Sequence, residues 1–252
     1  MLSTRTDGPF DYASLAHVAH RPWPKPSRPW VMTQTWTDLL FAHWPTSPDQ
    51  VAPHIPDGLD LDLFAGTAWV GVVPFRMSNV SARGVPNLPG LSAFPELNVR
   101  TYVTRAGKPG VFFFSLDAYN RAAVHTARML FNLPYHFARM DVARRRRMIH
   151  YSSTRDNGEA EFEAVYWPVG DTFTAAPGSL DAFLTERYCL YTPSRSGQIR
   201  RLDIHHRPWA LQSASARILK NSMTQHLFAD MPPLVLHFSE RQDVVAWLPE
   251  RT

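Results

Sequence analysis

Residues 96–103 carry a carboxyl, an amide, a guanidinium and a phenol at every second position, on Glu96, Asn98, Arg100 and Tyr102. In a β-strand, this spacing places all four side chains on one face and the apolar residues between them on the other. If the polar face lines an internal cavity, Arg100 binds a carboxylate and Glu96 transfers a proton, while Asn98 and Tyr102 add ligand contacts. If it faces solvent, the same residues form an ordinary exposed surface. The sequence alone leaves both interpretations open.

A second strand is predicted over residues 111–118, after a turn rich in glycine and proline, so that the two strands form a hairpin. Period two places four side chains of this strand on one face, namely Val111, Phe113, Ser115 and Asp117. A face of this mixed composition suits a partly apolar pocket wall. We therefore expect Ser115 to contact a bound ligand.

Another polar cluster lies in residues 201–209, which contain the adjacent histidines His205 and His206. Neighbouring side chains of a strand point to opposite faces, so the two imidazoles cannot bind one ion, and no metal site is expected. His206 is predicted to be a hydrogen-bonded core residue. Asp203 and His205 share a face, either as an oriented acid–base pair or as an ordinary surface pair.

Positive charge is carried almost entirely by arginine. Lysine occurs only as Lys25, Lys108 and Lys220 among the 26 basic residues, so covalent lysine chemistry has few possible sites. Four consecutive arginines at 144–147 point alternately to both faces of a strand, which predicts a solvated strand end and not a phosphate-binding stripe. No recognised nucleic-acid motif accompanies them, and we expect no nucleic-acid partner.

The 252 residues are 44% hydrophobic and 19% charged, a composition that supports a substantial core. The proline-rich residues 1–30 are predicted to form an N-terminal arm, packed or free, and residues 31–252 a single domain. No apolar run approaches the ~20 residues of a membrane span, and no signal-peptide pattern is present. The single Cys189 excludes an internal disulfide and indicates a buried thiol. These features indicate a cytoplasmic protein without a membrane partner, and they leave a homo-oligomer possible.

Hydrophobic periodicity predicts many strands and few helices. Helices are expected after the cap residues Ser47, Asn120 and Ser179. Strands are expected at 67–77, 96–103, 111–118, 137–152, 159–167, 187–192, 198–206 and 234–247. The segment 212–227 is predicted to be a helix in preference to a broken strand. Because no βαβ rhythm is present, the pattern indicates an α+β, β-rich fold built as an antiparallel barrel.

Several longer strings are distinctive. They are Leu-Phe-Ala-His-Trp-Pro at 40–45, Ala-Trp-Val-Gly-Val-Val-Pro-Phe at 68–75, Glu-Leu-Asn-Val-Arg-Thr-Tyr-Val at 96–103, Phe-Phe-Ser-Leu-Asp-Ala at 113–118, Leu-Pro-Tyr at 133–135, Arg-Tyr-Cys-Leu-Tyr at 187–191 and His-Phe-Ser at 237–239. Together they resemble the YqjF-like family of bacterial proteins, which is distantly similar to acetoacetate decarboxylases. The resemblance implies a cone-shaped, mostly antiparallel β-barrel with an internal pocket.

The same resemblance argues against the decarboxylase reaction. Acetoacetate decarboxylases carry an arginine and, six residues later, a proline followed by two lysines, the first of which forms a Schiff base. Here Arg128 and Pro134 keep that spacing. Tyr135 and His136 stand where the lysines would be, and neither side chain forms the protonated imine that the reaction requires. Glu96 loosely matches one pocket glutamate of the decarboxylases.

Three hypotheses follow. In the first, a barrel pocket takes a small carboxylate- or carbonyl-bearing molecule and, if the protein is an enzyme, performs lyase- or isomerase-like acid–base chemistry without a lysine or a cofactor. The anion is then anchored by Arg128 or Arg100. Glu96 is the general base, and Tyr135 or His136 is the proton donor. The second hypothesis is a ligand-binding or sensor module without turnover. The third, ranked last, is a basic protein that binds nucleic acid or a protein partner.

Overall fold

Long β-strands provide the framework of this computed structural model, which describes residues 8–87, 92–225, 227 and 232–252, without the side chains at 122, 123, 126, 127 and 130. In that part of the chain the strands are β1 (Met32–Thr46), β2 (Asp60–Leu61), β3 (Ala68–Ala82), β4 (Phe94–Arg105), β5 (Lys108–Ala118), β6 (Tyr135–Arg145), β7 (Met148–Arg155), β8 (Glu161–Phe173), β9 (Cys189–Pro193), β10 (Ile199–His205), β11 (Leu211–Asn221), β12 (Val235–Ala246) and β13 (Glu250–Arg251).

These strands form one sheet in the order β13-β10-β9-β5-β6-β7-β8-β11-β12-β1-β3-β4-β2. Further pairings of β4 with β5 and of β10 with β12 close the sheet into a ring. Neighbours are antiparallel except where β5 pairs with β6 and with β9. The prediction of a β-rich, mostly antiparallel fold is therefore confirmed, and closure of the sheet into a ring covers most strand edges.

The described helices are short and begin where the cap residues predict. Helix α1 (Pro48–Val51) is capped by the Ser47 side chain, and α3 (Leu180–Thr185) by the Ser179 side chain. Helix α2 (Arg121–Phe131) connects β5 to β6, and 3₁₀ turns occupy Tyr12–Ala16 and Ala52–His54. No helix in the described ranges combines the length and apolar character that crossing a membrane requires.

The segment after residue 211 is a strand, so the helix predicted for 212–227 was wrong. Strand β11 pairs with β8 along almost its whole length, from Leu211 opposite Phe173 to Asn221 opposite Phe162. Small residues such as Ser213 and Ala214 do not exclude a helix by propensity, and the available strand partner decides the outcome. Turn residues follow from Met223, and position 226 lies outside the described residues.

The described part of the N-terminal arm, residues 8–30, lies against the ring. Phe10 packs with Val245 and Trp247. Arg21 Nη1 donates a hydrogen bond to the carbonyl oxygen of Ile204 at 2.8 Å. These contacts correspond to the packed alternative for the arm.

Strand β4 is buried on both faces, and this arrangement positions the candidate site. Leu97 and Val99 are fully buried in the main apolar cluster, together with Val72 and Phe162. Alternation then turns Glu96 and the next two even-numbered residues to the opposite side, where a second apolar cluster surrounds them.

Candidate functional site

A cavity of about 290 Å³ lies between β1, β3, β4, β5, β9 and β10. Its wall is mostly apolar and includes the rings of Trp36, Phe41, Phe75, Phe113 and Trp209. The indoles of Trp36 and Trp209 stack, with ring centres 6.0 Å apart and planes inclined by 23°. The volume is about ten times that of a water molecule in the liquid and close to the lower end of small-molecule pockets.

A polar strip interrupts the apolar wall along β4. It consists of Glu96, Asn98 and Arg100, which all line the cavity and are at most 8% exposed. Burying three polar side chains on one strand lowers the stability of the fold unless the side chains form hydrogen bonds or bind a ligand. The structure thus places this part of the predicted polar face inside the molecule.

Glu96 forms one hydrogen bond with the described residues, accepted at its Oε2 from the Tyr135 hydroxyl at 2.8 Å. Burial raises the pKa of Glu96 to about 8; the bond from Tyr135 opposes this increase, and the nearby Asp117 carboxyl adds to it. Burial and the Glu96 carboxyl likewise raise the pKa of Tyr135 well above its usual value. At neutral pH both groups therefore carry protons, and the pair can donate one to a ligand.

Arg100 is a buried cation at the other end of the polar strip. Its Nη2 donates hydrogen bonds to the carbonyl oxygen of Leu184 at 3.1 Å and to the Tyr102 hydroxyl at 3.3 Å. Its guanidinium lies 5.1 Å from the centre of the Phe41 ring. Within the described ranges, no carboxylate comes within ion-pair distance of Arg100, and its Nε has no hydrogen-bond partner. A buried guanidinium without a counter-ion is suited to binding an anion.

Two other polar side chains line the cavity near Arg100, and one of them is fully paired while the other is not. Arg187 also lines the cavity, but it forms an ion pair with Asp62 at 2.5 Å and donates from Nε to the Phe183 carbonyl oxygen. Asn98 lies between the two ends of the polar strip, and its buried Oδ1 accepts no hydrogen bond from any described residue. The cavity therefore offers an unused donor, the Nε of Arg100, and an unused acceptor, the Oδ1 of Asn98.

Tyr102, predicted to contact the ligand, is fully buried behind Arg100 and is not part of the cavity lining. Its hydroxyl donates to the Leu184 carbonyl oxygen at 2.7 Å, and the Nε2 of His43 lies 2.6 Å from the hydroxyl oxygen of Tyr102. Burial, with the nearby charge of Arg100, lowers the pKa of His43 well below its usual value, so the imidazole is neutral. Tyr102 and His43 thus hold Arg100 from behind.

Ser115 was expected on the pocket face, but the structure turns it away from the cavity. In the β4–β5 pairing, Val99 is opposite Ser115 while Arg100 is opposite Phe113, so Phe114 forms a β-bulge. One extra residue reverses the alternation, and Leu116 lines the cavity in the position expected for Ser115.

Arg128 and His136 also lie outside the cavity lining. Arg128 is exposed on α2 and donates from Nε to the backbone oxygen of Tyr135 at 2.6 Å. His136 is opposite Asp117 in the β5–β6 pairing, on the face turned away from Tyr135. Burial, with the nearby cations Arg155 and Arg128, lowers the pKa of His136 to about 4. Of the two proposed donors, Tyr135 alone lines the cavity.

Several residues that line the cavity were not proposed as ligand contacts, because no sequence pattern marks them as such. His206 stacks on the Tyr188 ring with centres 4.7 Å apart, and Cys189 lies nearby with its pKa raised by burial to about 12. From the sequence, Trp36 and Trp209 would be assigned to the core, because no sequence pattern distinguishes an aromatic ring that lines a cavity from one that is fully packed. No described group of three or more histidine, cysteine, aspartate or glutamate residues is arranged to hold a metal ion.

The fold belongs to the acetoacetate decarboxylase-like class. Over 93% of each chain, the protein matches an acetoacetate decarboxylase from Legionella pneumophila with a TM-score of 0.60 and 15% sequence identity. It also matches the enduracididine biosynthesis enzyme MppR, solved with the condensation product of pyruvate and imidazole 4-carboxaldehyde, with a TM-score of 0.63 and 12% identity over 87% of this chain and 88% of that one. At such identities the likeness concerns the fold alone.

The chain belongs to the DUF2071 family, described as an uncharacterized conserved protein family, whose model matches residues 33–243. It is 48% identical to the "Uncharacterized protein YqjF" of Bacillus subtilis (strain 168) over 222 residues. The matched region covers 86% of this chain and 91% of the relative. The family resemblance inferred from the sequence strings is thereby confirmed.

Proposed function

We propose that the cavity binds a small organic acid with an apolar body and that Arg100 receives its carboxylate. The observation that carries this proposal is the buried guanidinium of Arg100, which lines the cavity without a carboxylate partner among the described residues. Ordinary buried arginines are paired, as Arg187 is with Asp62. A carboxylate at Arg100 would supply the missing charge and accept from its Nε.

The charge balance of the cavity supports an anionic ligand. Glu96 holds its proton at neutral pH because burial raises its pKa to about 8, so it does not repel a carboxylate. The charge of Arg187 is offset by Asp62. Arg100 therefore leaves an excess positive charge in an apolar cavity, where screening by water is weak.

The same electrostatics favour an acid role for Glu96 over the general-base role expected from the sequence. A carboxyl with a pKa of about 8 is mostly protonated at pH 7 and donates a proton or a hydrogen bond. Tyr135, hydrogen-bonded to it, supports the same role. Any acid–base chemistry on the bound acid would therefore begin with protonation of a ligand oxygen. The fold neighbour MppR was solved with pyruvate and with the condensation product of pyruvate and imidazole 4-carboxaldehyde, so a related fold holds a small keto acid.

The test compares a carboxylate with its neutral isostere. Hexanoate and hexanamide are added to the wild-type protein, and the unfolding temperature is measured. A ligand at a hundred times its dissociation constant adds about 2.7 kcal/mol of stability, which corresponds to a shift of about 5–10 °C for a domain of this size. We expect hexanoate to give such a shift and hexanamide to give little or none.

Two variants locate the effect. Arg100→Gln removes the cavity cation and should abolish the hexanoate shift, whereas Arg128→Gln removes an exposed arginine outside the cavity lining and should leave it intact. Equal shifts for acid and amide, or a loss of the shift in Arg128→Gln alone, would contradict the proposal. The wild-type comparison of acid and amide stands even if Arg100→Gln folds poorly.

A further inference from the structure

The two chemically active ends of the polar strip are widely separated. Strand β4 pairs with β3 without a register shift from Phe94 to Thr101, with Glu96 opposite Phe75 and Arg100 opposite Gly71. In a regular strand, the four residue-to-residue steps from Glu96 to Arg100 span about 13 Å between Cα atoms. One small polar group therefore cannot satisfy both ends at once.

The ends also differ in what they can recognise. The Arg100 end, closed by Leu184 at the end of α3, offers a cation to an anion. The Glu96 end offers protons, because Glu96 and Tyr135 are both neutral and the Glu96 Oε1 has no hydrogen-bond partner among the described residues. A neutral donor pair favours an uncharged acceptor, such as a carbonyl oxygen.

Apolar surface fills the distance between these ends. The rings of Phe41, Phe75 and Phe113 line the cavity, and between Glu96 and Arg100 strand β4 contributes the side chain of Asn98, whose Oδ1 accepts no hydrogen bond from a described residue. A ligand with adjacent carboxylate and carbonyl carbons would leave either this wall or one polar end without contact. A ligand with methylene groups in between would bury them against the rings.

We infer that the ligand is an elongated oxo acid, with its carboxylate at Arg100 and a ketone or similar carbonyl, several carbons away, at the Glu96–Tyr135 pair. This inference rests on the proposed function and names the ligand class of that same cavity. It distinguishes this cavity from a site for three- and four-carbon keto acids. The body of the ligand follows the polar strip along β4.

The test is a series of methyl-ketone acids in which only the spacing changes: pyruvate, acetoacetate, levulinate, 5-oxohexanoate and 7-oxooctanoate. Dissociation constants are measured by titration calorimetry at pH 6.5. We expect affinity to increase by about three- to four-fold for each buried methylene group, so that 7-oxooctanoate binds on the order of a hundred-fold more tightly than acetoacetate.

A second comparison tests the carbonyl contact. In the wild type, 7-oxooctanoate should bind about ten-fold more tightly than octanoate, a difference typical of one good buried hydrogen bond. Tyr135→Phe combined with Glu96→Leu should remove this preference while octanoate still binds. An affinity maximum at pyruvate or acetoacetate, or an oxo-group preference that survives in the double variant, would overturn the inference and leave the carboxylate site at Arg100 standing. Absence of binding by every acid would instead contradict the proposed function itself.

Discussion

At the residue scale, the protonation state of Glu96 decides what the cavity can accept. Removing a carboxyl from water costs more when it is ionised than when it is neutral, so burial keeps the proton on Glu96. The hydrogen bond from Tyr135 lessens this cost without cancelling it. A cavity with one cation that lacks a counter-ion and one neutral acid is matched to a single anionic group. Ionisation of Glu96 above pH 8 would place a second anion in the same space.

The raised pKa of Glu96 predicts a specific pH dependence of stability. The unfolded chain releases the proton near pH 4.5, whereas the folded protein keeps it up to about pH 8, so stability is complete below the lower value and decreases as pH rises between the two. From pH 5 to 8 the loss should amount to on the order of 4 kcal/mol. Glu96→Gln lacks the ionisation, so its stability relative to wild type should increase by that amount. Urea unfolding at pH 5, 6.5 and 8 measures the difference.

Glu159→Gln is the matched control, because Glu159 is exposed. Its stability relative to wild type should change little across the same pH range. A Glu96→Gln variant whose relative stability stays constant with pH would show that Glu96 is already ionised at pH 5, and the acid role proposed for it would be wrong.

The residues of the polar strip could be proposed from period two alone, because Glu96, Asn98 and Arg100 occupy alternate positions. Choosing between a cavity and a solvent-facing surface required knowing what covers the strand. The partnership of His43 with Tyr102 joins residues 59 positions apart in the chain, and no local pattern predicts it. Arg128 was proposed through the resemblance to decarboxylases, and the structure places it on the exposed side of α2.

At the element scale, Gly71 of β3 leaves space for two large side chains, one from β1 and one from β4. It is opposite His43 on one neighbouring strand and opposite Arg100 on the other. A Cβ atom at this position would lie 2.9 Å from two atoms of the His43 ring and 3.5 Å from the Arg100 Cγ. The absence of a side chain therefore makes room for both.

We expect Gly71→Ala to destabilise the protein by about 1–3 kcal/mol through overpacking and to weaken hexanoate binding by displacing Arg100. Chemical denaturation and calorimetric titration measure the two effects. In a His43→Ala background the same change should cost less stability, with a coupling energy of about 0.5–3 kcal/mol in the double-mutant cycle. Additive costs in that cycle would mean that the histidine ring is not what the new methyl group meets.

The β-bulge at Phe114 shows why the direction of a side chain is harder to predict than the position of its strand. The hairpin of β4 and β5 was predicted from composition and turn residues, and it is present. A bulge changes the face of every residue that follows it, and the run Phe112-Phe113-Phe114 contains no glycine or polar residue that would mark one. Because the bulge could not be foreseen, Ser115 was predicted to line the cavity, and Leu116 lines it instead.

At the scale of the whole molecule, the N-terminal arm is attached to the ring by polar contacts as well as apolar ones. Arg21 is 9% exposed, lies 4.9 Å from the centre of the Tyr188 ring and bonds to the Ile204 carbonyl oxygen. The arm's His20 reaches the backbone oxygen of His206, a cavity-lining residue. The arm thus covers the outer side of strands whose inner side faces the cavity.

Removing the Arg21 side chain should loosen the arm. We expect Arg21→Ala to increase chymotryptic cleavage within residues 8–30 several-fold, because cleavage follows the population of the detached arm. Lys25→Ala is the control, since Lys25 is exposed and, among the described residues, donates its hydrogen bond to the Leu15 carbonyl oxygen of the same arm. Equal cleavage of both variants, measured by mass spectrometry of the fragments, would show that Arg21 does not hold the arm in place.

The stacked indoles of Trp36 and Trp209 give the protein a built-in optical signal. Two nearly parallel chromophores 6.0 Å apart couple their electronic transitions, and both form part of the cavity wall. A molecule entering the cavity alters the polarity around these rings, and any rotation of either ring changes their coupling. Occupancy is therefore readable, without a label, as a change in tryptophan emission and in near-ultraviolet circular dichroism.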